Sequence, residues 1–322
     1  MNITVAICTW NRSDLLKQTL EQAAQLSIPQ GVSWELLVVN NNSTDATDEA
    51  LASFASRLPL RSVFEAQAGL SHARNRAVRE ARGDYILWTD DDVLVNENWL
   101  AEYFKAFSRW PDAAVFGGMV EPWFAGTPPR WLPRAFSQVA SAYATRDLGP
   151  QAIPLTQELI PYGANYAVRR AEQLRYPYDP GLGVRPGNSM GGEETTVVRA
   201  MLADGIKGWW VPDARVRHYI PEARQTTRYL RRYFYGYGEY CGRQVKGDGG
   251  QLLFGRPRWM WRQALESEIK YRLRRFLSRP EIWVSDLVAA SEAWGQMRGY
   301  GLRHETAEAQ EDEKEVRHKV VA

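Results

Sequence analysis

Apolar and polar positions alternate in short blocks over the first 120 residues. Residues 3–9 are rich in β-branched side chains and predict a strand. Ser13 then stands where it can cap a helix whose apolar side is Leu16, Leu20, Ala23 and Ala24, at helical spacing. Residues 34–39 predict a buried strand, residues 40–45 a polar turn and helix cap, and the helix that follows runs to about Ser56. A short strand at 60–65 precedes a helix at 69–81, which ends at Arg82-Gly83. The next strand, 84–89, leads directly into Asp90, Asp91 and Asp92. A helix at 97–109 and a strand at 113–120 complete the series. Strands and helices in turn predict an α/β fold with a mostly parallel central sheet covered on both faces.

From Pro122 to Pro161 the periodicity fades, and the proline-rich residues 126–133 predict a loop. A second αβ block spans 163–216, with a helix at 193–203 and a strand at 207–212. Beyond Glu222 the pattern is helical, at 225–243, 258–277 and 280–297. The charged tail from Arg303, nearly free of aromatic residues, predicts disorder. The expected organisation is therefore a domain at 1–222, divided into halves 1–120 and 121–222, a helical extension at 223–300 and a tail at 301–322. No run of 18 apolar residues predicts a transmembrane helix, and the N-terminus has no secretory pattern.

Composition narrows the chemistry. Two cysteines, Cys8 and Cys241, exclude a disulfide framework and a cysteine-based zinc site, and point to a reducing, cytoplasmic compartment. Neither G-x-G-x-x-G after the first strand nor G-x-x-x-x-G-K-[ST] anywhere is present, which argues against dinucleotide oxidoreductases and P-loop NTPases. The 13 Trp residues fill a large core, stack on sugar rings or sit at a membrane interface. The net charge of +2 is unevenly spread: residues 224–279 hold 14 Lys and Arg against 4 Asp and Glu. That stretch is either a solvated helical face or suits an anionic partner: a nucleotide, a phospholipid surface or a phosphorylated acceptor. Nucleic acid is not among the expected partners. Residues 229–240, dense in aromatic and basic side chains, line an acceptor groove, rest on an anionic membrane, or pack on the sheet.

Three polar clusters fall at strand ends, where open α/β sheets bind ligands: residues 9–12, residues 40–42 and the Asp90–Asp91–Asp92 triplet. Adjacent carboxylates repel unless solvated or neutralised. A hard cation, Mn²⁺ or Mg²⁺, neutralises them while leaving positions for phosphate oxygens.

In order and spacing, these residues resemble the family 2 glycosyltransferases. The resemblance rests on Val5-Ala-Ile-Cys-Thr-Trp-Asn-Arg12, Val38-Val-Asn-Asn-Asn-Ser-Thr-Asp45, Ala73-Arg-Asn-Arg-Ala77, Asp90–Asp92, Gly163-Ala-Asn165 and Gly191-Gly-Glu-Glu194. It covers roughly residues 1–220 and implies a GT-A fold, a nucleotide-diphosphate sugar donor, a divalent metal and inversion at the anomeric carbon. It implies that Thr9, Trp10, Arg12, Asn40 and Asn42 line the nucleotide pocket, and that Arg74 reaches the base or diphosphate. Asp90 would face the ribose, Asp91 would contribute beside it, and Asp92 would ligate the metal with His218. Arg215 and Arg217 are candidate diphosphate partners. Glu194 matches the position of the general base, with Glu193 its neighbour. Asn40 and Glu194 both stand where Asp is common, and the base of the nucleotide stays open. The acceptor expected is a glycan or a lipid-linked acceptor, with peripheral contact to an anionic membrane. The alternatives are a sugar-nucleotide nucleotidyltransferase, which releases pyrophosphate, and a non-catalytic carbohydrate-binding protein, which needs neither metal nor base.

Overall fold

The computed structural model describes residues 1–183, 191–245 and 251–302, and the backbone course of 303–321. It comprises two compact units. The first, Met1–Trp123 with Ala144–Tyr219, is built on one eight-stranded sheet. Its strands are β1 (Asn2–Thr9), β2 (Ser33–Asn40), β3 (Leu60–Phe64), β4 (Tyr85–Asp90), β5 (Val93–Val95), β6 (Ala113–Phe124), β7 (Tyr166–Arg169) and β8 (Lys207–Ile220), in the order β3-β2-β1-β4-β7-β6-β8-β5. The strands β3, β2, β1 and β4 are parallel neighbours. Beyond them β7 runs antiparallel to β4 and β6, and β5 antiparallel to β8.

The strands are near-continuous apolar runs because both faces are covered. Side chains alternate across a strand. Ile3, Val5 and Ile7 join Leu36, Val38 and Leu87 on one face, against Leu16 and Leu20 of α1 (Ser13–Ala23) and Leu100 and Tyr103 of α4 (Trp99–Arg109). Ala6, Leu37, Val39, Ile86 and Trp88 face the other way, toward Ala73 and Ala77 of α3 (Leu70–Glu80) and Val198 and Met201 of α5 (Glu193–Ala203). The remaining helix of this series, α2, spans Thr47–Phe54.

Three local expectations change. Ser13 is the first residue of α1, not its cap, and Arg12 before it makes no side-chain capping bond. Instead Asp45, from the loop after β2, accepts the Ser13 N–H at 2.9 Å. β8 extends beyond the expected 207–212, and the three-residue β5 pairs with its far end. Asp91 and Asp92 therefore form the turn between β4 and β5.

The second unit comprises Phe124–Tyr143 and Ile220–Ala322. Leu132, Ala135 and Val139 belong to it because they are buried with Leu230, Phe234, Val284 and Leu287. Its long helices are α6 (Thr227–Gln244), α7 (Arg258–Leu277) and α8 (Pro280–Val321). The expected disordered tail falls on residues whose side chains lie outside those described. α6 and α8 meet through glycines: a Cβ on Gly238 would stand 2.2 Å from the Glu292 carbonyl oxygen, and one on Gly295 2.1 Å from that of Tyr235. Only glycine permits so close a backbone approach. Among the described residues no helix is long and apolar enough to cross a membrane.

Candidate active site

Strand register levels the three polar clusters. Thr9 pairs with Asn40 across β1 and β2, and Cys8 with Asp90 across β1 and β4. All three strand ends thus open on one rim of the sheet.

The Asp triplet is held from several sides. Asp91 is buried; its carboxylate accepts the Thr9 hydroxyl at 2.8 Å, and its carbonyl accepts the Thr19 hydroxyl at 3.0 Å. The Arg12 guanidinium donates to Asp91 Oδ1 at 3.0 Å and to Asp92 Oδ2 at 2.9 Å. Across the turn, the Tyr219 N–H donates to the Asp92 carbonyl at 2.9 Å, and His218 Nε2 stands 3.4 Å from Asp92 Oδ1. One donor atom from each of Asp90, Asp92 and His218 lies within 4.8 Å of the other two. Burial and the neighbouring Asp92 push Asp91 up to about 7, against the pull of Arg12. Asp90 is also raised, by burial first, with Arg74 opposing.

A second carboxylate pair sits at the start of α5, linked to the first by one arginine. Arg74 is buried, its guanidinium 5.2 Å from the centre of the Trp88 ring and 5.7 Å from that of Tyr178. It donates to the Tyr166 hydroxyl at 3.1 Å, and its nitrogens reach Asp90 at 3.4 Å and Glu193 at 3.3 Å. Glu193 is itself buried, whereas Glu194 is half-buried and accepts the Gly163 N–H at 3.3 Å. A side chain at Gly163 would displace both groups, since its Cβ would lie 2.8 Å from the Arg74 guanidinium and 3.2 Å from the Glu194 carboxyl carbon.

Burial, then Glu194, push Glu193 up to about 7 against the pull of Arg74. Between its ordinary value near 4.5 and about 7, the folded protein holds a proton that the unfolded chain releases, so stability falls as pH rises through that window. In a melting series from pH 5 to 8, Glu193→Gln is expected to flatten the decline, leaving the part due to Asp90 and Asp91. A slope unchanged by Glu193→Gln refutes this.

Several expected residues have other engagements. The carboxamide of Asn40 is committed within its own loop: it donates to Asp48 at 2.8 Å and accepts the Ser43 N–H at 2.9 Å. Arg12 spans the aspartates, and Arg74 is enclosed rather than extended toward a ligand. Trp10 and Asn42 lie exposed on the rim loops, Asn42 with φ of 60°. Arg215 and Arg217 alternate to the face of β8 opposite His218, and Arg215 is 3.5 Å from Glu121. Asn165 is buried and structural, accepting from Trp99 and Tyr103 and donating to two carbonyls. The residues missed are Thr19, Tyr166 and Tyr178. Of these, only Tyr166 had a nearby signal, one position beyond the Gly163-Ala-Asn165 run.

The family model "Glycosyl transferase family 2" matches residues 4–167. The chain is 24% identical over 248 residues to the succinoglycan biosynthesis protein ExoM of Rhizobium meliloti, covering 76% of this chain and 75% of that protein. It is 29% identical over 129 residues to the dolichol-phosphate mannosyltransferase of Pyrococcus furiosus, of which it spans 36%. Among solved structures, the Pyrobaculum calidifontis mannosyltransferase PcManGT, in complex with GDP-Man and Mn²⁺, superposes with a TM-score of 0.57 at 20% identity, over 90% of this chain and 85% of that one. Staphylococcus aureus TarS 1–349 does so with a TM-score of 0.53 at 14% identity, over 92% and 90%. The fold is GT-A.

Proposed function

The chain belongs to glycosyltransferase family 2, and from that premise we propose that it moves a sugar, with inversion, from a nucleoside diphosphate to a hydroxyl of a glycan or lipid-linked glycan. Membership sets aside the nucleotidyltransferase and the non-catalytic sugar-binding protein. The observation that carries the reading is the donor cluster of Asp90, Asp92 and His218 on the strand-end rim. The cluster fits Mn²⁺ or Mg²⁺. Adjacent donors about 2.1 Å from an octahedral ion stand roughly 3 Å apart, and His218 Nε2 and Asp92 Oδ1 are 3.4 Å apart. A bound ion would offset charge gathering on the leaving diphosphate.

The rest falls to the protein. Arg12 and Thr9 orient the aspartates through the bonds described, while Trp10 and Asn42, exposed on the rim, remain for the nucleotide. Glu194 takes the proton of the attacking hydroxyl. Glu193, buried against Arg74, is less available for that task. Arg74 fixes the donor and base clusters relative to one another through Asp90 and Glu193. The protein works in the cytoplasm, at the inner face of the membrane when its acceptor is lipid-linked.

Thermal shift over the nucleoside diphosphates with and without Mn²⁺ tests this. One diphosphate, at about 100 times its Kd, should add about 2.7 kcal/mol of stability. The gain should need the metal, and the best base names the carrier. No stabilisation by any nucleoside diphosphate with Mn²⁺ overturns the reading.

A further inference from the structure

The helical unit carries an apolar ridge that is uncovered among the described residues. Along α7, Met260, Ala264 and Tyr271 are buried. Leu265, Ile269, Leu273 and Phe276 recur at steps of four and three, which gathers them on the opposite face. They are exposed, from 49% at Leu265 to 82% at Phe276. The ridge continues at its start. Trp261, one step of four before Leu265, lies 6.0 Å from the Phe254 ring and donates to the Leu253 carbonyl at 2.8 Å. Leu253 and Phe254 are exposed at the tip of a hairpin of β9 (Leu252–Leu253) and β10 (Arg256–Pro257), where Phe254 holds φ at 51°. A bulky residue in that region is a conformational outlier.

Cations flank the ridge. Arg272, three residues beyond Ile269 and seven beyond Leu265, stands beside both and also lines a cavity of about 530 Å³. Arg228, Arg231 and Arg232 of α6 and Trp294 of α8 line the same cavity. Its carboxylate, Glu268, is shared by Arg231 and Arg272. Guanidinium groups outnumber carboxylates there, and their fork suits phosphate oxygens. In a two-fold contact a second copy of the chain would bring the same charge to this face and be repelled. An anionic bilayer supplies both the apolar phase and the opposite charge.

We propose that α7 and the Leu253–Phe254 tip dock on an anionic membrane, with the arginine cavity taking a lipid phosphate. The lipid-linked acceptor named above gives this contact its purpose, but vesicle binding is measured apart from turnover.

The test is flotation of the full chain with phosphatidylcholine vesicles, with and without phosphatidic acid. The protein should float with the phosphatidic acid vesicles at low salt and detach as salt rises, since charges are screened within about 3 Å at 1 M. Ile269→Glu with Leu273→Glu should weaken binding by about ten-fold or more, the loss expected from even half the transfer free energy of two apolar side chains. Arg228→Ala with Arg232→Ala should weaken binding to phosphatidic acid vesicles and leave any binding to pure phosphatidylcholine unchanged. These side chains are exposed, so melting temperature and hydrolysis of a soluble donor should stay at wild-type values. If the double glutamate variant melts early, Leu273→Ser replaces it. Absence of flotation with phosphatidic acid at low salt, or equal flotation of the ridge variants, overturns the proposal. Stabilisation by inorganic phosphate that is lost in the arginine variant, without vesicle binding, assigns the cavity to a soluble phosphate and also overturns it.

Discussion

Asp92→Ala should abolish metal-dependent donor binding and lower transfer by about 10²–10⁴-fold, which corresponds to several kcal/mol of charge stabilisation at the leaving group. The fold should survive, because the turn is held through the backbone: the Tyr219 N–H donates to the Asp92 carbonyl, which alanine retains. Arg12 keeps its bond to Asp91 and is exposed enough to regain water. The competing account is that Asp92 only anchors Arg12. Asp92→Asn separates the two, since the amide oxygen still accepts from Arg12 but carries no charge for a cation. If anchoring is the role, Asp92→Asn is near normal and Arg12→Ala is as damaging as Asp92→Ala. If metal binding is the role, both Asp92 variants lose the Mn²⁺-dependent heat of nucleoside diphosphate binding in calorimetry. Unchanged affinity in Asp92→Ala removes this residue from the metal site.

What could be foreseen from the chain, and what could not, divides by range. β1, β2 and β4 were legible because two-sided burial writes an apolar run into consecutive residues, and a polar cluster ends each run. Register then follows from parallel pairing, which is why Thr9 comes level with Asn40, and Asp90 with Cys8, one residue away. The partners of those polar residues are another matter. Asn40 is claimed by Asp48 and Ser43, neighbours that a single motif position does not reveal. Ser13 receives its cap from Asp45, 32 residues away. Arg74 is enclosed by Tyr166 and Tyr178, which arrive through a four-residue strand and the segment after it, too short to announce themselves by period. In the helical unit, periodicity placed the starts of the three long helices within two residues, while the backbone of the third continues beyond the expected 297 to Val321. The face of α7 left without a partner is decided by packing, so the exposed ridge emerges only in three dimensions.

The two glutamates at the start of α5 are adjacent in sequence and opposite in circumstance. Neighbouring helix residues point about 100° apart. Glu193 turns inward to Arg74, while Glu194 lies against the Gly163 N–H at the accessible side. Glu194→Gln preserves size and still accepts that N–H, but removes the proton acceptor. Transfer should fall by about 10²–10⁴-fold, the span of a lost general base, while Mn²⁺-dependent nucleotide binding persists. Glu193→Gln should act differently. It removes the charge facing a buried guanidinium that also reaches Asp90, so its damage should appear in donor binding as well as in turnover, with a loss of melting temperature only above about pH 7, where Glu193 is ionised. The rival reading makes Glu194 an ordinary acidic residue in a first helical turn, worth about 0.3–1 kcal/mol of stability and nothing in turnover. Near wild-type turnover in Glu194→Gln with a large loss in Glu193→Gln moves the base by one residue. Near wild-type turnover in both removes the start of α5 from the chemistry and leaves the rim aspartates without a proton acceptor beside them.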